Sequence, residues 1–199
     1  MVKYIIYTIV SLELKLYGNN YINRIINSRR ILMIGLISDT HSLLRQEVVD
    51  NLNDCNLIIH AGDIGKYEVI ENLSKICNVE FIRGNCDKDK DIAKEERIVE
   101  IYNKRIYLIH DISKVNINLK EENIDVVVYG HSHKSNIYEN NGILYINPGS
   151  VGPRRFKLPI SMAKLKVLGD GYYSDELKLI DENTYRYKCY EVQFISILM

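Results

Sequence analysis

The sequence contains four short apolar runs that end in polar residues, at 31–38, 56–60, 79–82 and 125–129. Runs of this length without polar alternation are typical of strands that are buried on both faces, as in a parallel sheet. Between the first three runs, residues 42–52 and 67–76 carry apolar side chains at helical spacing, with Ser42 as the expected N-cap of the first helix. Strands that alternate with helices in this way predict an α/β fold.

The second half of the chain is richer in predicted strands. Turn-forming residues separate three pairs of strands, which we interpret as hairpins: 97–102 with 105–110, 135–139 with 143–146, and 160–167 with 172–180. Asn140-Asn141-Gly142 and Gly169-Asp170-Gly171 are strong turn signals, whereas Asn103-Lys104 is a weaker one.

The length of 199 residues suits one well-packed domain. We expect an N-terminal extension (1–30), the main domain (31–180) and a C-terminal tail (181–199). Residues 1–30 carry no motif, so the native start is either Met33 or an earlier residue that adds a strand or helix. No secretory signal is evident, and the apolar start of the chain is too short to span a bilayer, which favours a cytoplasmic protein.

The chain is electrically balanced, with 26 basic and 26 acidic residues. It therefore lacks the basic field of a general nucleic-acid binder, and we expect no stable nucleic-acid complex. A local basic cluster at Arg154, Arg155 and Lys157 either meets a phosphate or is a solvated loop. The four cysteines form no C-x-x-C pair, so a zinc ribbon is unsupported.

Polar clusters with metal-binding side chains follow several of the predicted strands. They are Asp39-Thr40-His41, Gly62-Asp63, Gly84-Asn85, His110 and Gly130-His131-Ser132-His133. Because the carboxyl ends of parallel strands share one sheet edge, these segments should converge there. Asp and His bind divalent transition metals. Residues at i and i+2 of extended backbone point the same way, as expected for Asp39 with His41 and for His131 with His133.

Each cluster alone is a weak signal, and their order along the chain is what indicates a metal site. The glycines before Asp63, Asn85 and His131 would let the backbone turn sharply and approach an ion or a phosphate. His60 lies inside an apolar run, and we interpret it as a hydrogen-bonded core histidine that binds no metal.

These blocks, together with Arg83-Gly84-Asn85-Cys86-Asp87 and Asn147-Pro148-Gly149-Ser150, resemble the calcineurin-like metallophosphoesterases, in particular their small bacterial and archaeal phosphodiesterase branch. The resemblance covers about residues 33–180. It implies a two-sheet β-sandwich flanked by helices in four layers. It also implies one metal on Asp39, His41 and His133, another on Asn85, His110 and His131, and Asp63 shared by both.

The chemistry that follows is hydrolysis of a small-molecule phosphate ester by a metal-bound hydroxide. Two carboxylates facing two divalent cations leave a formal charge near +2, which attracts a phosphate. Two ions ~4 Å apart lower the pKa of a bridging water and clamp the attacking and leaving oxygens. We expect manganese, with nickel, zinc or iron as alternatives. The oligomeric state and the natural substrate are not predicted.

The sequence departs from the branch at two places: Asp111 follows His110 where glycine is usual, and the stretch between His110 and His131 is short. In the wider superfamily, many members have a histidine that protonates the leaving group at the position of Cys86. Cys86 then marks a missing acid, or it is only a small buried side chain. Two alternatives to a small-molecule phosphoesterase are a non-catalytic scaffold, like the retromer-type subunit of this fold, and a nuclease.

Overall fold

The computed structural model of the chain describes residues 31–89, 93–155, 157–168 and 175–197. The strands in this part are β1 (Leu32–Ile37), β2 (Leu57–His60), β3 (Asn78–Phe81), β4 (Glu96–Ile101), β5 (Lys104–Ile109), β6 (Val126–Val128), β7 (Asn136–Asn140), β8 (Ile143–Asn147), β9 (Ser161–Val167), β10 (Lys178–Leu179), β11 (Thr184–Tyr187) and β12 (Tyr190–Ser196). The helices are α1 (Gln46–Leu52), α2 (Glu68–Leu73) and a 3₁₀ turn (Ile112–Lys114).

The strands form two mixed sheets. The larger has the order β10-β11-β12-β9-β1-β2-β3 and the smaller has the order β4-β5-β6-β8-β7. The strands β1, β2 and β3 are parallel neighbours, and so are β5, β6 and β8. The four predicted strands are confirmed to within about two residues at their ends, although β3 is only partly buried and its Asn78 is exposed. The carboxyl ends of β1, β2 and β3 therefore lie along one edge of the larger sheet, as predicted.

The main core lies between the two sheets. Alternate residues of β1 face different layers: Leu32, Ile34 and Leu36 belong to the cluster between the sheets, whereas Met33 and Ile37 belong to the cluster under the helices. Burying a side chain of this size contributes roughly 1.5–3 kcal/mol. This two-sided burial explains why the strand has an unbroken apolar sequence.

In the described part of the chain, the α-helices cover the outer face of the larger sheet and not that of the smaller one. Val48 and Leu52 of α1 and Val69 and Leu73 of α2 pack on the larger sheet. The outer face of the smaller sheet is covered by the 3₁₀ turn and the loop after it, through Ile112, Val115, Ile117, Leu119 and Ile124. The expected four layers with helices on both sides are thus only partly present. The Asn118 side chain accepts hydrogen bonds from the backbone of Lys120 and Glu121, a local pattern that competes with helix formation.

The first predicted helix starts later than expected. Ser42 has a positive φ of 71°, and its hydroxyl oxygen accepts a hydrogen bond from the backbone N–H of Lys66. Ser42 therefore connects two loops and does not cap a helix. The N-cap of α1 is Arg45, whose side chain makes no capping hydrogen bond. The second helix, α2, ends at Leu73, three residues before the predicted end.

Two of the three predicted hairpins are confirmed, since β4 pairs antiparallel with β5 and β7 with β8. The third predicted hairpin, 160–167 with 172–180, is wrong in the part that the structure describes. The strand β9 pairs with β1 and β12, and β10 pairs with β11. The turn expected at 169–171 lies outside the described residues, as do residues 1–30.

Residues 181–197, which we expected to be a tail, provide β11 and β12 of the larger sheet. The strand β12 runs antiparallel to β9 over seven residue pairs, from Tyr190 with Val167 to Ser196 with Ser161. Val192 of this strand is buried in the core between the sheets. Within the described part of the chain, no helix is long and apolar enough to cross a membrane.

Candidate metal centre

Five of the seven predicted ligands have left-handed backbone conformations. The φ angle is 56° at Asp39, 45° at His41, 56° at Asp63, 69° at His131 and 58° at His133. The expected alignment of side chains on extended backbone is therefore wrong for both i, i+2 pairs. Such conformations cost of order 1–3 kcal/mol each and need tertiary contacts to hold them. Backbone hydrogen bonds of 3.0 Å, from Asp39 N–H to the Gly62 carbonyl and from His41 N–H to the Asp63 carbonyl, hold the first two loops together.

Two glycines allow these loops to come close. A Cβ atom on Gly84 would lie 2.2 Å from Oδ1 of Asp63, and one on Gly130 would lie 2.0 Å from Oγ of Ser38. Any side chain at either position would displace a carboxylate loop. The glycines thus permit one loop to approach the side chains of another.

The carboxylate of Asp39 lies at the centre of three imidazole rings. Its Oδ1 atom is 3.1 Å from Nε2 of His133, 3.9 Å from Nε2 of His110 and 4.0 Å from Nε2 of His41. Asp39 is fully buried, and Oδ1 has no hydrogen-bond partner. A buried carboxylate oxygen without a donor is costly unless a cation or a proton compensates its charge.

Asp63 lies between the two groups of predicted ligands. Its Oδ2 atom is 3.4 Å from Nε2 of His110 and 3.8 Å from Nε2 of His41, which belong to different groups. Its Oδ1 atom accepts a 2.7 Å hydrogen bond from the backbone N–H of Cys86. Asp63 is therefore close to histidines of both groups.

The remaining ligands meet on the exposed side of the centre. Oδ1 of Asn85 is 3.0 Å from Nδ1 of His131, and the rings of His131 and His110 are 5.4 Å apart. The backbone N–H of His131 also donates to Oδ2 of Asp39 at 3.2 Å. All seven predicted residues therefore lie in one place: Asp39, His41, Asp63, Asn85, His110, His131 and His133.

The orientation of His110 follows from its other nitrogen. Nδ1 lies 2.7 Å from the backbone carbonyl of Ala61, which can only accept, so Nδ1 carries the proton. Nε2 faces the carboxylates and, in the neutral ring, presents a lone pair to them; it has no hydrogen-bond partner, and only 4 % of His110 is exposed. A neutral imidazole whose second nitrogen is fixed by a backbone carbonyl is the usual arrangement of a metal-binding histidine.

The ionisable groups perturb one another as expected for such a cluster. Burial raises the pKa of Asp39 and of Asp63, but hydrogen bonds and nearby histidines outweigh it, so both pKa values lie below the usual range. Burial lowers the pKa of His41, and the two carboxylates compensate only in part. For His110 burial is outweighed by the carboxylates, so its pKa is raised. Both carboxylates are therefore ionised near neutral pH.

His60 is the buried core histidine that we predicted. Its Nδ1 accepts a hydrogen bond from Gly62 N–H at 3.2 Å, so Nε2 carries the proton and donates to the Thr40 hydroxyl at 2.9 Å. The Thr40 hydroxyl donates in turn to the Ile64 carbonyl. Complete burial lowers the pKa of His60 to about 4. His60 thus braces the Asp39 and Asp63 loops from behind as a neutral side chain.

Two polar residues, Asn147 and Asp87, support the centre without being predicted to do so. The buried amide of Asn147 donates to the Gly130 carbonyl at 2.7 Å and accepts from Gly149 N–H at 2.9 Å. The carboxylate of Asp87 accepts the backbone N–H groups of Gly84, Ile64 and Gly65 at 2.8, 3.1 and 2.8 Å. Asp87 and Asn147 belong to the motifs at 83–87 and 147–150 that contribute to the resemblance. The residue types in these motifs do not by themselves reveal which hydrogen bonds the two side chains make.

Three further residues near the centre are Asp111, Arg155 and Cys86, whose roles the sequence left open. Asp111 caps the 3₁₀ turn, since its Oδ1 accepts from Ser113 N–H at 3.0 Å, and it leaves His110 in place. Arg155 brings a guanidinium nitrogen within 3.3 Å of Nε2 of His41, so one arginine of the basic cluster does reach the centre. Cys86 is exposed, which contradicts the alternative of a small buried side chain.

A cavity of about 260 Å³ opens beside Asn85 and His110. Its other walls include Arg83, Asp111, Lys114 and Asn116. The cavity is mainly polar, and it adjoins the side of the centre where Asn85 and His131 meet.

The sequence is similar to those of known phosphoesterases. Residues 32–170 match the calcineurin-like phosphoesterase superfamily domain. A probable metallophosphoesterase of Methanothermobacter thermautotrophicus is 32% identical over 152 residues, which cover 70% of this chain and 88% of the relative. A phosphodiesterase of Methanocaldococcus jannaschii is 32% identical over 136 residues, 58% of this chain and 82% of the relative.

Solved structures share the fold. An archaeal phosphodiesterase superposes with a TM-score of 0.62 at 24% identity, covering 83% of this chain and 100% of that one. Vacuolar protein sorting 29 of Cryptosporidium parvum gives 0.61 at 20% identity, covering 84% and 98%. At these identities the likeness concerns the fold alone. The domain match and the related sequences show that the chain belongs to the calcineurin-like phosphoesterase superfamily.

Proposed function

We propose that the protein is a metal-dependent phosphodiesterase that hydrolyses small phosphate esters. The observation that carries the proposal is the unpartnered Oδ1 of Asp39, buried among three imidazole nitrogens at 3.1 to 4.0 Å. An anionic oxygen surrounded by imidazole nitrogens matches the donor preferences of a divalent transition metal.

The donors fit two cations. Asp39, His41 and His133 would hold one, Asn85, His110 and His131 the other, and Asp63 would contact both. When bound, two divalent ions lower the pKa of water and offset charge on a phosphate. We favour manganese for a set with two carboxylates and an amide oxygen, with nickel, zinc or iron as alternatives.

The surrounding residues suit an anionic substrate. The guanidinium of Arg155 lies beside His41 and can donate to phosphate oxygens, for which its planar geometry is suited. The cavity beside Asn85 would receive one ester group of the substrate. Its walls carry mixed charge, because Arg83 pairs with Glu95 and Lys114 pairs with Asp111, so the attraction for the phosphate is assigned to Arg155 and the cations. The phosphodiesterase of Methanocaldococcus jannaschii supports diesters over monoesters.

A scaffold role is the second candidate, because vacuolar protein sorting 29 shares the fold. Against it stand the strained backbone and unpartnered lone pairs of the centre, which cost stability and which a binding module does not need. A nuclease is disfavoured by the net charge of zero, since duplex binding depends on basic residues.

A substrate panel tests the proposal. The full chain is assayed against phosphomonoesters, phosphodiesters and cyclic nucleotides, each with Mn²⁺, Ni²⁺, Zn²⁺ or Fe²⁺ and with EDTA. We expect hydrolysis of diesters that depends on added metal. No hydrolysis of any ester with any metal would leave the scaffold as the better interpretation.

A further inference from the structure

We propose that the thiol of Cys86 is an additional metal donor, so that the cation beside Asp63 and His41 binds sulfur as well as oxygen and nitrogen. This inference rests on the proposed function, because it requires a metal in the centre. It adds a ligand outside the seven that the resemblance implies.

The first support is distance. The sulfur of Cys86, a ring nitrogen of His41 and a carboxylate oxygen of Asp63 all lie within 4.8 Å of one another. Metal–ligand bonds to nitrogen, oxygen and sulfur are about 2.0–2.3 Å, so two donors of one ion lie up to ~4.6 Å apart. The three atoms can therefore meet at one cation with little rearrangement.

The second support is that the loop carrying Cys86 is fixed. The backbone N–H of Cys86 donates to Oδ1 of Asp63 at 2.7 Å, so the cysteine is tied to the carboxylate with which it would share the ion. The next residue, Asp87, accepts three backbone N–H groups from two loops. The backbone that carries the thiol is therefore anchored beside the centre.

The third support is the orientation of Asn85. Its amide oxygen faces Nδ1 of His131 at 3.0 Å, and its amide nitrogen lies 3.5 Å from the sulfur of Cys86. This contact places the sulfur next to the amide, on the side of the loop that faces the centre. One amide can thus offer oxygen to one cation position and orient the sulfur toward the other.

An observation independent of the cysteine points to a cation here. Nε2 of His110 is 3.4 Å from Oδ2 of Asp63, is buried, and has no hydrogen-bond partner. Asp63 is the residue that links this atom to the group containing Cys86. The two groups share only Asp63, so His110 supports a cation at one side of this carboxylate and leaves the other side for the ion that Cys86 would bind.

A thiolate donor changes which metals the centre prefers. Soft sulfur ligands favour zinc and similar ions, whereas carboxylate and amide oxygens suit manganese. On binding, the thiol loses its proton to solvent and the sulfur lone pair forms the bond to the metal. We therefore expect the cation position next to Cys86 to hold Co²⁺ or Zn²⁺ more tightly than Mn²⁺.

The test uses the full chain loaded with Co²⁺, whose bond to a thiolate gives a charge-transfer band in the near ultraviolet. We expect the band in the wild type and in the control Cys77→Ser, and we expect none in Cys86→Ser. Losing an outer-sphere partner weakens metal binding about 10–100-fold, so Cys86→Ser should weaken Zn²⁺ binding by at least about 10-fold and Mn²⁺ binding by less.

The failures of the two proposals are distinguishable. A wild-type protein that binds two Co²⁺ ions per chain without a charge-transfer band, or a Cys86→Ser protein that keeps the band, overturns the thiol ligand and leaves the phosphodiesterase intact. A chain that binds no Co²⁺, Mn²⁺ or Zn²⁺ overturns both.

Discussion

The Nε2 atom of His110 lies 3.4 Å from the Oδ2 atom of Asp63 and forms no hydrogen bond. The proton of this ring is on Nδ1, which donates to the Ala61 carbonyl at 2.7 Å. A lone pair therefore faces a carboxylate in a buried place, an arrangement that is stable only with a cation or a proton between the two atoms. The following predictions test this interpretation.

Arg155 should bind the phosphate of the substrate. A hydrogen bond to a charged group contributes about 1.5–3 kcal/mol, so Arg155→Gln should raise KM and the Kd of inorganic phosphate about 10- to 100-fold. Both constants are measured with metal saturating. Arg154→Gln is the matched control, because Arg154 is also exposed. If the two substitutions have equal effects, Arg155 acts only through the positive charge of the surface and does not bind the phosphate directly.

Asn147 should position the loop that carries His131 and His133. Asn147→Ala removes the donor to the Gly130 carbonyl and leaves buried groups unpaired, which should cost roughly 1–3 kcal/mol in the free energy of unfolding. Metal affinity should fall about 10–100-fold, as for other outer-sphere partners. Calorimetric titration with Mn²⁺ measures the second effect. Asn140→Ala, at the exposed end of β7, is the control, and unchanged affinity in Asn147→Ala would contradict the positioning role.

His60 should make the protein sensitive to acid. Its pKa falls from 6.5 to about 4 on folding, because burial disfavours the imidazolium. The unfolded chain takes up the proton first, so this contribution is present above pH 6.5 and is lost as the pH falls toward 4. The loss amounts to about 3 kcal/mol at the acid end.

Urea denaturation at pH 7 and pH 5 with EDTA present measures the effect of His60. The wild type should lose about 2 kcal/mol more than His60→Gln over this interval, since the variant has no imidazole to protonate. The pH dependence of stability that comes from the other titratable groups is the same in both proteins and cancels in the comparison. The same pH dependence in both would show that His60 takes up its proton equally in the folded and unfolded states.

Cys86 should also shape the preference for leaving groups. A thiol that binds metal provides no proton to a departing alkoxide, and general acid catalysis contributes roughly 10²–10⁴-fold. Aryl phosphodiesters should therefore be hydrolysed much faster than alkyl ones, and Cys86→His should narrow the difference. A leaving-group series on both proteins gives the slope of log rate against leaving-group pKa. Equal slopes would reject the idea of a missing acid.

Convergence of the predicted ligands could be foreseen because Asp39, Asp63 and Asn85 follow three parallel strands. The backbone conformations of the loops that carry these ligands could not be predicted. The left-handed conformations of Asp39 and His41 depend on hydrogen bonds to the 62–63 loop, more than twenty residues away. Positive φ is uncommon even for Asp and His, which adopt it more readily than most residues, and long-range contacts offset its cost here.

Other differences have the same origin. The pairing of β12 with β9 joins segments more than twenty residues apart, and no local turn signal predicts it. The outer layer of the smaller sheet has apolar residues without helical spacing, so their burial depends on the surface they cover. Arg155 reaches His41 from 114 positions along the chain, so the sequence offered only a basic cluster of uncertain role.

Counting bound metal ions tests the proposed centre most directly. Elemental analysis and calorimetric titration with Mn²⁺ should give about two ions per wild-type chain, and removing them with EDTA should abolish phosphodiesterase activity. Asp63→Asn should weaken both sites and reduce activity by about 100-fold or more, because a shared ligand should matter more than an outer-sphere partner. The exposed control Asp54→Asn should bind as the wild type does. A wild-type chain that takes up no metal and hydrolyses phosphodiesters equally well in EDTA would contradict the proposed centre.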